Sequence, residues 1–361
     1  MATMPAVDLD RRSDGEPGEP GEPGEPGEPF VTIRDVAKHF PVRNSRGEKR
    51  WVRSVDGVSL EIRRGEVLGL VGESGCGKST LARLILNHAR PDRGSVVIDG
   101  QDIVRMKARD LRRFRRSIQM VFQDPAGALD PRMRIDQSLL APLGQHGIGS
   151  PDERRESIRG MLREVGLDPS ILQRYPRQCS GGQLQRIVIA RALLLQPRFL
   201  ICDEPTSAVD ASIRAQVLNL LDALRQRFDL TLLIISHDLR AMRHICDRVA
   251  VMYLGHIVET ADAGDLFVNP AHPYTRGLIA ASLLEEIGLE AASGLVTGEP
   301  PSPIDPPPGC HFHPRCPVRG ARCPEASPEI RNVGPGHEVT CHYWRDQADF
   351  ATVLPQAAGE S

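Results

Sequence analysis

A glycine-rich segment that ends in lysine and two hydroxyl residues is the most specific chemical pattern in the sequence. It fits G-x-x-x-x-G-K-[ST], follows the apolar run VLGLVG and opens a helical run. Such glycines let backbone N–H groups face phosphates, and the helix N-terminus adds partial positive charge. Lys78 is expected to reach the β and γ oxygens, and Ser79 to donate an oxygen to Mg²⁺. The candidate nucleotide-binding residues are Gly72, Glu73, Ser74, Gly75, Cys76, Gly77, Lys78, Ser79 and Thr80.

Two carboxylates follow a second apolar run, FLICDE, at Asp203 and Glu204. The first is placed to hold Mg²⁺, and the second to orient or deprotonate an attacking water. Acidic turn residues alone would explain this strand end equally well. Together with Lys78, the pair predicts a phosphate-hydrolysing site.

The surrounding sequence predicts an α/β fold that would position these residues. The runs FVTIRDV, VDGVSLEI and SVVIDG predict an antiparallel sheet near the nucleotide site. The runs VLGLVG, SIQMVF, FLICDE and TLLIISH alternate with helical stretches, which predicts a mostly parallel sheet covered by helices. Residues 124–178 read mainly as helix.

The composition indicates a soluble globular protein of 361 residues. A net charge of -2 gives no reason to expect nucleic acid as a partner, and the basic run at 112–116 is interpreted as a solvated helix face. The apolar runs are shorter than the roughly 20 residues of a membrane-spanning helix. No signal peptide is recognised, so the eight cysteines are expected in a reducing cytoplasm.

A second glycine-bearing helix start, Cys179-Ser180-Gly181-Gly182-Gln183, precedes the run QLQRIVIARALLL. With Gln123 in VFQDP, Asp210 in SAVD and His237 in IISHDL, it follows the motif order of the ABC ATPases. Over about residues 30–260 the sequence resembles that family. The resemblance implies hydrolysis of ATP to ADP and phosphate.

The resemblance also implies a dimer of cassettes, in which each ATP lies between one P-loop and the partner's signature. The signature residues Ser180, Gly181, Gly182 and Gln183 would then contact the γ-phosphate across the interface. Glu204 is implied as catalytic base, His237 as a γ-phosphate contact and Asp210 as a link between the two sites. Gln123 would sense Mg²⁺ and the γ-phosphate and couple them to the membrane partner.

Two aromatic residues and one signature residue need separate comment in the comparison with the ABC ATPases. Phe40 in AKHFPV aligns with the family's adenine-stacking aromatic, but Trp51 lies close by, and either could instead be a core aromatic. Cys179 stands where the signature usually has Leu; as a small apolar residue it should leave hydrolysis intact. Ordinary buried cysteines are expected at Cys76, Cys202 and Cys246.

The run NPAHPYTRGL at 269–278 resembles the start of the C-terminal extension in oligopeptide, dipeptide and nickel importer ATPases. The resemblance implies a peripheral protein on the cytoplasmic face of the membrane that energises di- or oligopeptide import. Its partners would be a second ATPase subunit, two transmembrane permease subunits and, indirectly, an extracytoplasmic binding protein. The alternatives are an exporter ATPase, a nickel importer ATPase or a soluble ABC ATPase without a membrane partner.

The Pro-rich tail carries Cys310, Cys316, Cys323 and Cys341, and lacks the apolar mass of a conventional core. Four thiolates could hold Zn²⁺ or a [4Fe–4S] cluster. The resemblance favours the cluster, away from the phosphates and with a structural or regulatory role. Unliganded thiols remain an option, as does a mixed zinc site that would use nearby histidines, namely His311, His313, His337 and His342.

We therefore expect an α/β P-loop ABC ATPase core with an antiparallel β subdomain, a helical signature subdomain and a small Cys-rich C-terminal extension. The predicted boundaries are a disordered GEP-repeat leader at 1–29 and a nucleotide-binding domain at 30–265, with its helical subdomain at about 124–185. The extension follows at 266–345, and a flexible tail at 346–361.

Overall fold

The computed structural model describes residues 28–43, 47–207, 209–286 and 298–345. The predicted disordered leader therefore lies outside the described residues except for its last two. The predicted flexible tail at 346–361 lies wholly outside them.

The strands, in chain order, are β1 Pro29–Arg43, β2 Lys49–Arg63, β3 Val67–Val71, β4 Arg93–Ile98, β5 Gln101–Asp102, β6 Ile118–Val121, β7 Phe199–Asp203, β8 Thr231–Ser236, β9 Arg248–Tyr253, β10 His256–Asp262, β11 Arg331–Gly334 and β12 His337–Val339. The helices are α1 Lys78–Ile85, α2 Ala108–Phe114, α3 Ile135–Gln145, α4 Pro151–Glu164, α5 Gly181–Leu193, α6 Ala211–Phe228, α7 Leu239–Ile245, α8 Ala263–Val268 and α9 Pro273–Glu286.

The strands form two sheets, which confirms the predicted α/β architecture. A four-stranded antiparallel sheet has the order β2-β1-β4-β5, and the central sheet has the order β11-β12-β10-β9-β3-β8-β7-β6. Strand β3 pairs in parallel with both β8 and β9, and β7 pairs in parallel with β6 and β8. The carboxyl ends of β3, β7 and β8 therefore meet at one edge, where a ligand can bind.

The central strands are apolar throughout because both of their faces are covered. In β3, Val67 and Val71 face one hydrophobic core, whereas Leu68 and Leu70 face the other. The first core includes the buried faces of α3, α4 and α5, and the second includes the antiparallel sheet and α1. The nucleotide-site loops thus extend from a sheet that is packed on both sides.

The segment between β6 and β7 is helical, as the sequence predicts. Helix α4 begins with a capping box, in which Ser150 and Glu153 satisfy each other's backbone N–H groups. Two 3₁₀ turns follow, at Pro169–Gln173 and Pro176–Gln178, and the segment ends in α5. No helix among the described residues is long and apolar enough to cross a membrane.

The C-terminal extension continues the central sheet, which the sequence did not predict. Strand β12 pairs with β10 beyond the β9–β10 hairpin. Glu259, on β10, pairs with Val339 on β12 and is only 1 % exposed. Its carboxylate is a buried acceptor at this junction. It accepts hydrogen bonds from the N–H groups of Ala271 (2.6 Å) and His272 (2.9 Å), and lies 2.8 Å from Nε2 of His337. The start of α9 and strand β12 are thereby joined to β10.

Candidate nucleotide site

The glycine-rich loop connects the end of β3 to the start of α1, as the motif requires. Gly77 has φ 114°, a conformation that L side chains rarely adopt. A Cβ there would overlap the carbonyl oxygen of Ser54, and one at Gly72 would overlap that of Met252. The loop is therefore enclosed by the backbones of β2 and β9, and only glycine fits at these two positions.

Lys78 lies inside this loop and is 6 % exposed. Its ammonium group donates hydrogen bonds to the carbonyl oxygens of Gly72 (2.7 Å) and Glu73 (2.9 Å). The hydroxyl of Ser54 on β2 donates to Thr80 Oγ1 at 2.8 Å. The Lys78 ammonium is thus held at the N-terminus of α1. Both the ammonium and the positive end of the helix would attract phosphate oxygens there.

Asp203 at the end of β7 is suited to a divalent cation. Burial raises the pKa of its carboxyl group, and a hydrogen bond with Ser79 opposes that rise. Its Oδ1 atom is buried without a hydrogen-bond partner. An unpaired buried carboxylate oxygen is unfavourable. Mg²⁺, a hard cation with oxygen ligands, would satisfy it beside the Ser79 hydroxyl.

The three predicted catalytic side chains are brought together next to Asp203. Gln123 Nε2 donates to Glu204 Oε2 at 2.7 Å, and His237 Nδ1 lies 3.2 Å from Glu204 Oε1. Glu204 has φ 46°, and its N–H donates to Ile235 O on β8 at 2.8 Å. Its carboxylate lies between an amide donor and an imidazole, at the edge where the parallel strands end. This arrangement can fix and deprotonate a water molecule.

The signature forms the N-terminus of α5. Ser180 Oγ accepts from the N–H of Gln183, whose side chain accepts from the N–H of Ser180. Ser180 and Gly181 are exposed, whereas Gly182 packs toward Ile213. Within the described part of the chain, no hydrogen bond or ion pair joins these residues to the chain's own glycine-rich loop. The exposed, capped turn is available for an external anion.

Asp210 lies at a helix N-cap, and the signature cysteine Cys179 packs at the edge of the core. Asp210 is exposed at the N-cap of α6, where its carbonyl oxygen accepts from the N–H groups of Ile213 and Arg214. Cys179 is half-buried and packs against the larger core. Its packing agrees with the interpretation of this cysteine as a small apolar replacement for Leu.

Phe40 and Trp51 are both exposed, at 38 % and 46 %, on the β1–β2 hairpin. Phe40 pairs with Val52, and Trp51 pairs with Pro41. Directly paired residues share a face of the sheet and successive residues alternate. The two aromatic rings therefore project from opposite faces of the hairpin, and only one of them can stack on a given base.

The cysteines fall into two groups. Cys76, Cys202 and Cys246 are buried, as the sequence predicts, and burial raises their pKa values, that of Cys202 to about 12. Burial, with a smaller contribution from neighbouring tail thiols, raises the pKa of Cys316 to about 11 and of Cys341 to about 12. The four tail cysteines thus lie near one another.

The expected metal site is not supported by this geometry. Across residues 28–43, 47–207, 209–286 and 298–345, no three His, Cys, Asp or Glu side chains are arranged to hold a metal ion. The tail histidines have other contacts: His313 Nδ1 lies 2.9 Å from Cys310 O, His342 Nε2 lies 2.8 Å from Ala326 O, and His337 contacts Glu259. His311 packs edge-on against His256. The structure therefore shows no mixed Cys/His zinc site among the described residues.

Sequence reasoning missed the contact between the tail and the nucleotide site. The sequence places a metal cluster of this segment far from the phosphates and gives no sign that Arg315, between Cys310 and Cys316, forms an ion pair with Glu73 of the glycine-rich loop at 2.7 Å. The hydroxyl of Tyr274 also accepts from the N–H of Glu73 at 2.9 Å. No local pattern marks these residues, since each lies more than two hundred positions from Glu73.

Comparison with known proteins places the chain in a family. Residues 55–207 match the family model described as ABC transporter, and residues 258–323 match the oligopeptide/dipeptide transporter C-terminal region. The chain is 46% identical over 319 residues to the oligopeptide transport ATP-binding protein AppF of Bacillus subtilis, covering 87% of this chain and 97% of that one. It is 44% identical over 321 residues to OppF of Salmonella typhimurium, covering 86% and 95% respectively.

Solved structures agree on the fold. The dimeric ATP-binding cassette MJ0796 bound to ADP and Pi is 28% identical and superposes with a TM-score of 0.59, covering 64% of this chain and 98% of that one. Its match covers a smaller share of this chain than the match to AppF, which covers 87%. The chain therefore belongs to the ABC transporter family and is an ATP-hydrolysing subunit with the C-terminal region of the oligopeptide/dipeptide transporters.

Proposed function

We propose that this protein hydrolyses ATP to drive the import of di- or oligopeptides through separate membrane subunits. The observation that carries the chemistry is the placement of the Glu204 carboxylate between Gln123 and His237, beside Asp203. The peptide substrate is supported by relatives named oligopeptide transport or peptide import ATP-binding proteins. These names favour import of peptides over export, nickel import or a soluble role.

Each residue at the site has a role that follows from its position. The N–H groups of the glycine-rich loop and the ammonium of Lys78 bind the phosphate chain of ATP. Ser79 and Asp203 would hold Mg²⁺, which neutralises phosphate charge when bound. Glu204 orients the attacking water and accepts its proton. His237 contacts the γ-phosphate, and Gln123 links that phosphate to the surface where a membrane subunit binds.

A second cassette completes the site. The signature turn exposes Ser180 and Gly181, and no described hydrogen bond or ion pair joins it to the glycine-rich loop of its own chain. Its capped helix N-terminus suits the γ-phosphate of an ATP held by a partner subunit. Asp210, exposed at the start of α6, would link the two sites. The similarity to the dimeric cassette MJ0796 supports this arrangement.

The remaining partners would be two transmembrane permease subunits and an extracytoplasmic binding protein that delivers the peptide. The ATPase would lie on the cytoplasmic face of the membrane. The test is to purify the protein with its permeases, reconstitute them in vesicles, and add binding protein with di- to pentapeptides. Peptide-stimulated phosphate release together with peptide uptake is expected. ATP hydrolysis that no peptide stimulates, with stimulation by nickel instead, would contradict peptide import.

We also propose that the four tail cysteines bind a [4Fe–4S] cluster. Supporting it are the all-thiol donor set and the proximity of two of the cysteines, since the N–H of Cys310 donates to the carbonyl oxygen of Cys323 at 2.7 Å. The described side chains do not form a site for a single metal ion, so the thiols would have to reorient around a cluster. Anaerobic purification should yield a brown protein that contains iron and absorbs near 400 nm. Stoichiometric zinc without iron would contradict the proposal.

A further inference from the structure

Glu73, the first variable residue of the glycine-rich loop, is contacted by the C-terminal extension at both its main chain and its side chain. Its N–H donates to the hydroxyl of Tyr274 on α9 at 2.9 Å. Its carboxylate accepts two hydrogen bonds from the Arg315 guanidinium, at 2.7 and 2.8 Å. Its carbonyl oxygen accepts from Lys78 at 2.9 Å. All three polar groups of one loop residue are therefore engaged.

The two extension residues are themselves held by buried aromatic rings. The Arg315 guanidinium lies 5.8 Å from the ring centre of Tyr253, and Arg315 is 7 % exposed. The Tyr253 ring packs against Tyr274 at 4.7 Å and against Phe312 at 5.3 Å. Each of these rings is at most 2 % exposed. A two-pronged Arg–carboxylate pair within such packing fixes the position of both partners.

The charge of Glu73 also needs compensation at this position. Its side chain is 27% exposed and belongs to the loop that must accept the negative phosphate chain. An unpaired carboxylate there would repel the phosphates, and the low exposure limits screening by water. Arg315 neutralises this charge and at the same time keeps the carboxylate directed toward the extension.

We propose that Arg315 and Tyr274 are positioning residues of the phosphate site, which hold the first turn of the glycine-rich loop in the conformation that binds ATP. The inference rests on the proposed binding of ATP by this loop. It makes the extension a structural part of the nucleotide site. Because Arg315 lies between Cys310 and Cys316, a change in the fold of the Cys-rich segment would alter ATP affinity.

The test compares full-length variants by binding of a fluorescent ATP analogue and by phosphate release. Arg315→Met should raise the Kd and KM for ATP about tenfold while kcat changes by less than about twofold. Tyr274→Phe should raise the Kd by about threefold. Adding Glu73→Gln to Arg315→Met should recover much of the lost affinity, because the unpaired charge is removed.

A matched control is Arg331→Met, which removes the same charge from an exposed pair with Glu329 at 2.9 Å. It should bind ATP like the wild type. If Arg315→Met only lowers the thermal midpoint and leaves the Kd unchanged, the ion pair has a purely structural role and the inference is overturned. If Arg315→Met does not fold, Arg315→Gln removes the same charge with a polar side chain, and an unchanged Kd for that variant overturns the inference. Failure of the wild type to bind ATP would instead refute the proposed function.

Discussion

The side-chain amide of Gln123 donates a hydrogen bond of 2.7 Å to the carboxylate of Glu204. Gln123 follows β6 and Glu204 follows β7, neighbouring strands of the parallel sheet. A shift of the loop after β6 would therefore move Gln123 and change its hydrogen bond with Glu204, the proposed catalytic base. In the proposed function, this contact would connect the membrane subunit that binds near Gln123 to the hydrolytic centre.

Glu204→Gln should nearly abolish turnover and retain ATP binding, because the amide can still accept from Gln123 but cannot take a proton. We expect a loss of at least about 100-fold in phosphate release. Size-exclusion chromatography with ATP should show a trapped dimer. Glu156→Gln, on the exposed face of α4, is the control and should hydrolyse ATP normally. Wild-type hydrolysis by Glu204→Gln would refute the assigned role.

Phe40→Ala and Trp51→Ala should affect ATP binding unequally, since the two rings project from opposite faces of the hairpin. Stacking of a base on an aromatic ring contributes about 1–3 kcal/mol. We expect Phe40→Ala to weaken binding by about tenfold and Trp51→Ala to have little effect. Titration with a fluorescent ATP analogue distinguishes them, and the reverse ranking would assign the stacking role to Trp51.

Glu259→Leu should lower the free energy of unfolding by about 3 kcal/mol, because it leaves two buried N–H groups and the His337 ring without their acceptor. Chemical denaturation would measure the loss. Glu338→Leu alters the neighbouring, exposed residue on β12 and serves as the control. Equal stability of the two variants would show that the buried carboxylate is not needed to hold the extension.

His272 should make stability depend on pH. Burial lowers the pKa of His272 to about 4, although Glu259 opposes the shift. The unfolded chain binds a proton below about pH 6.5, where the folded chain does not. Stability from this residue is therefore fully present above about pH 6.5 and falls, by up to about 3 kcal/mol, as pH drops to about 4.

His272→Asn offers a direct test of that dependence. The His272 ring accepts a hydrogen bond from the N–H of Tyr274, and an Asn side chain can accept the same bond without titrating. Denaturation at a series of pH values should show a weaker loss of stability between pH 6.5 and 4 in the variant. His244→Asn, at an exposed position on α7, should keep the wild-type dependence. An identical pH profile for all three proteins would rule out His272 as the source.

The nucleotide site was predictable because its residues follow local patterns. The glycine-rich loop requires a strand before it and a helix after it, and both can be read from the sequence around Lys78. Asp203 and His237 likewise follow apolar runs long enough to be recognised as buried strands. Their proximity then follows from parallel pairing, since the carboxyl ends of adjacent strands meet.

The extension was less predictable because long-range contacts determine its structure. The short strand His337–Val339 is stabilised by pairing with β10 and with β11, and its sequence alone shows no strand pattern. Arg315 lies in a Pro- and Cys-rich segment whose composition predicts solvent exposure. The structure instead buries Arg315 against Tyr253. The tail composition correctly indicated a lack of apolar mass, but gave no sign that the P-loop and a buried carboxylate hold the segment in place.

The pairing of β12 with β10 has a consequence for biosynthesis. A ribosome releases the chain from its N-terminus, so β10 emerges long before the residues that cover it. Until about residue 339 is available, the nascent cassette has an open sheet edge, and the Glu259 carboxylate lacks its contact with His337. Open edges invite pairing with other chains. Chaperone protection during this interval should therefore matter more for this subunit than for a cassette without the extension.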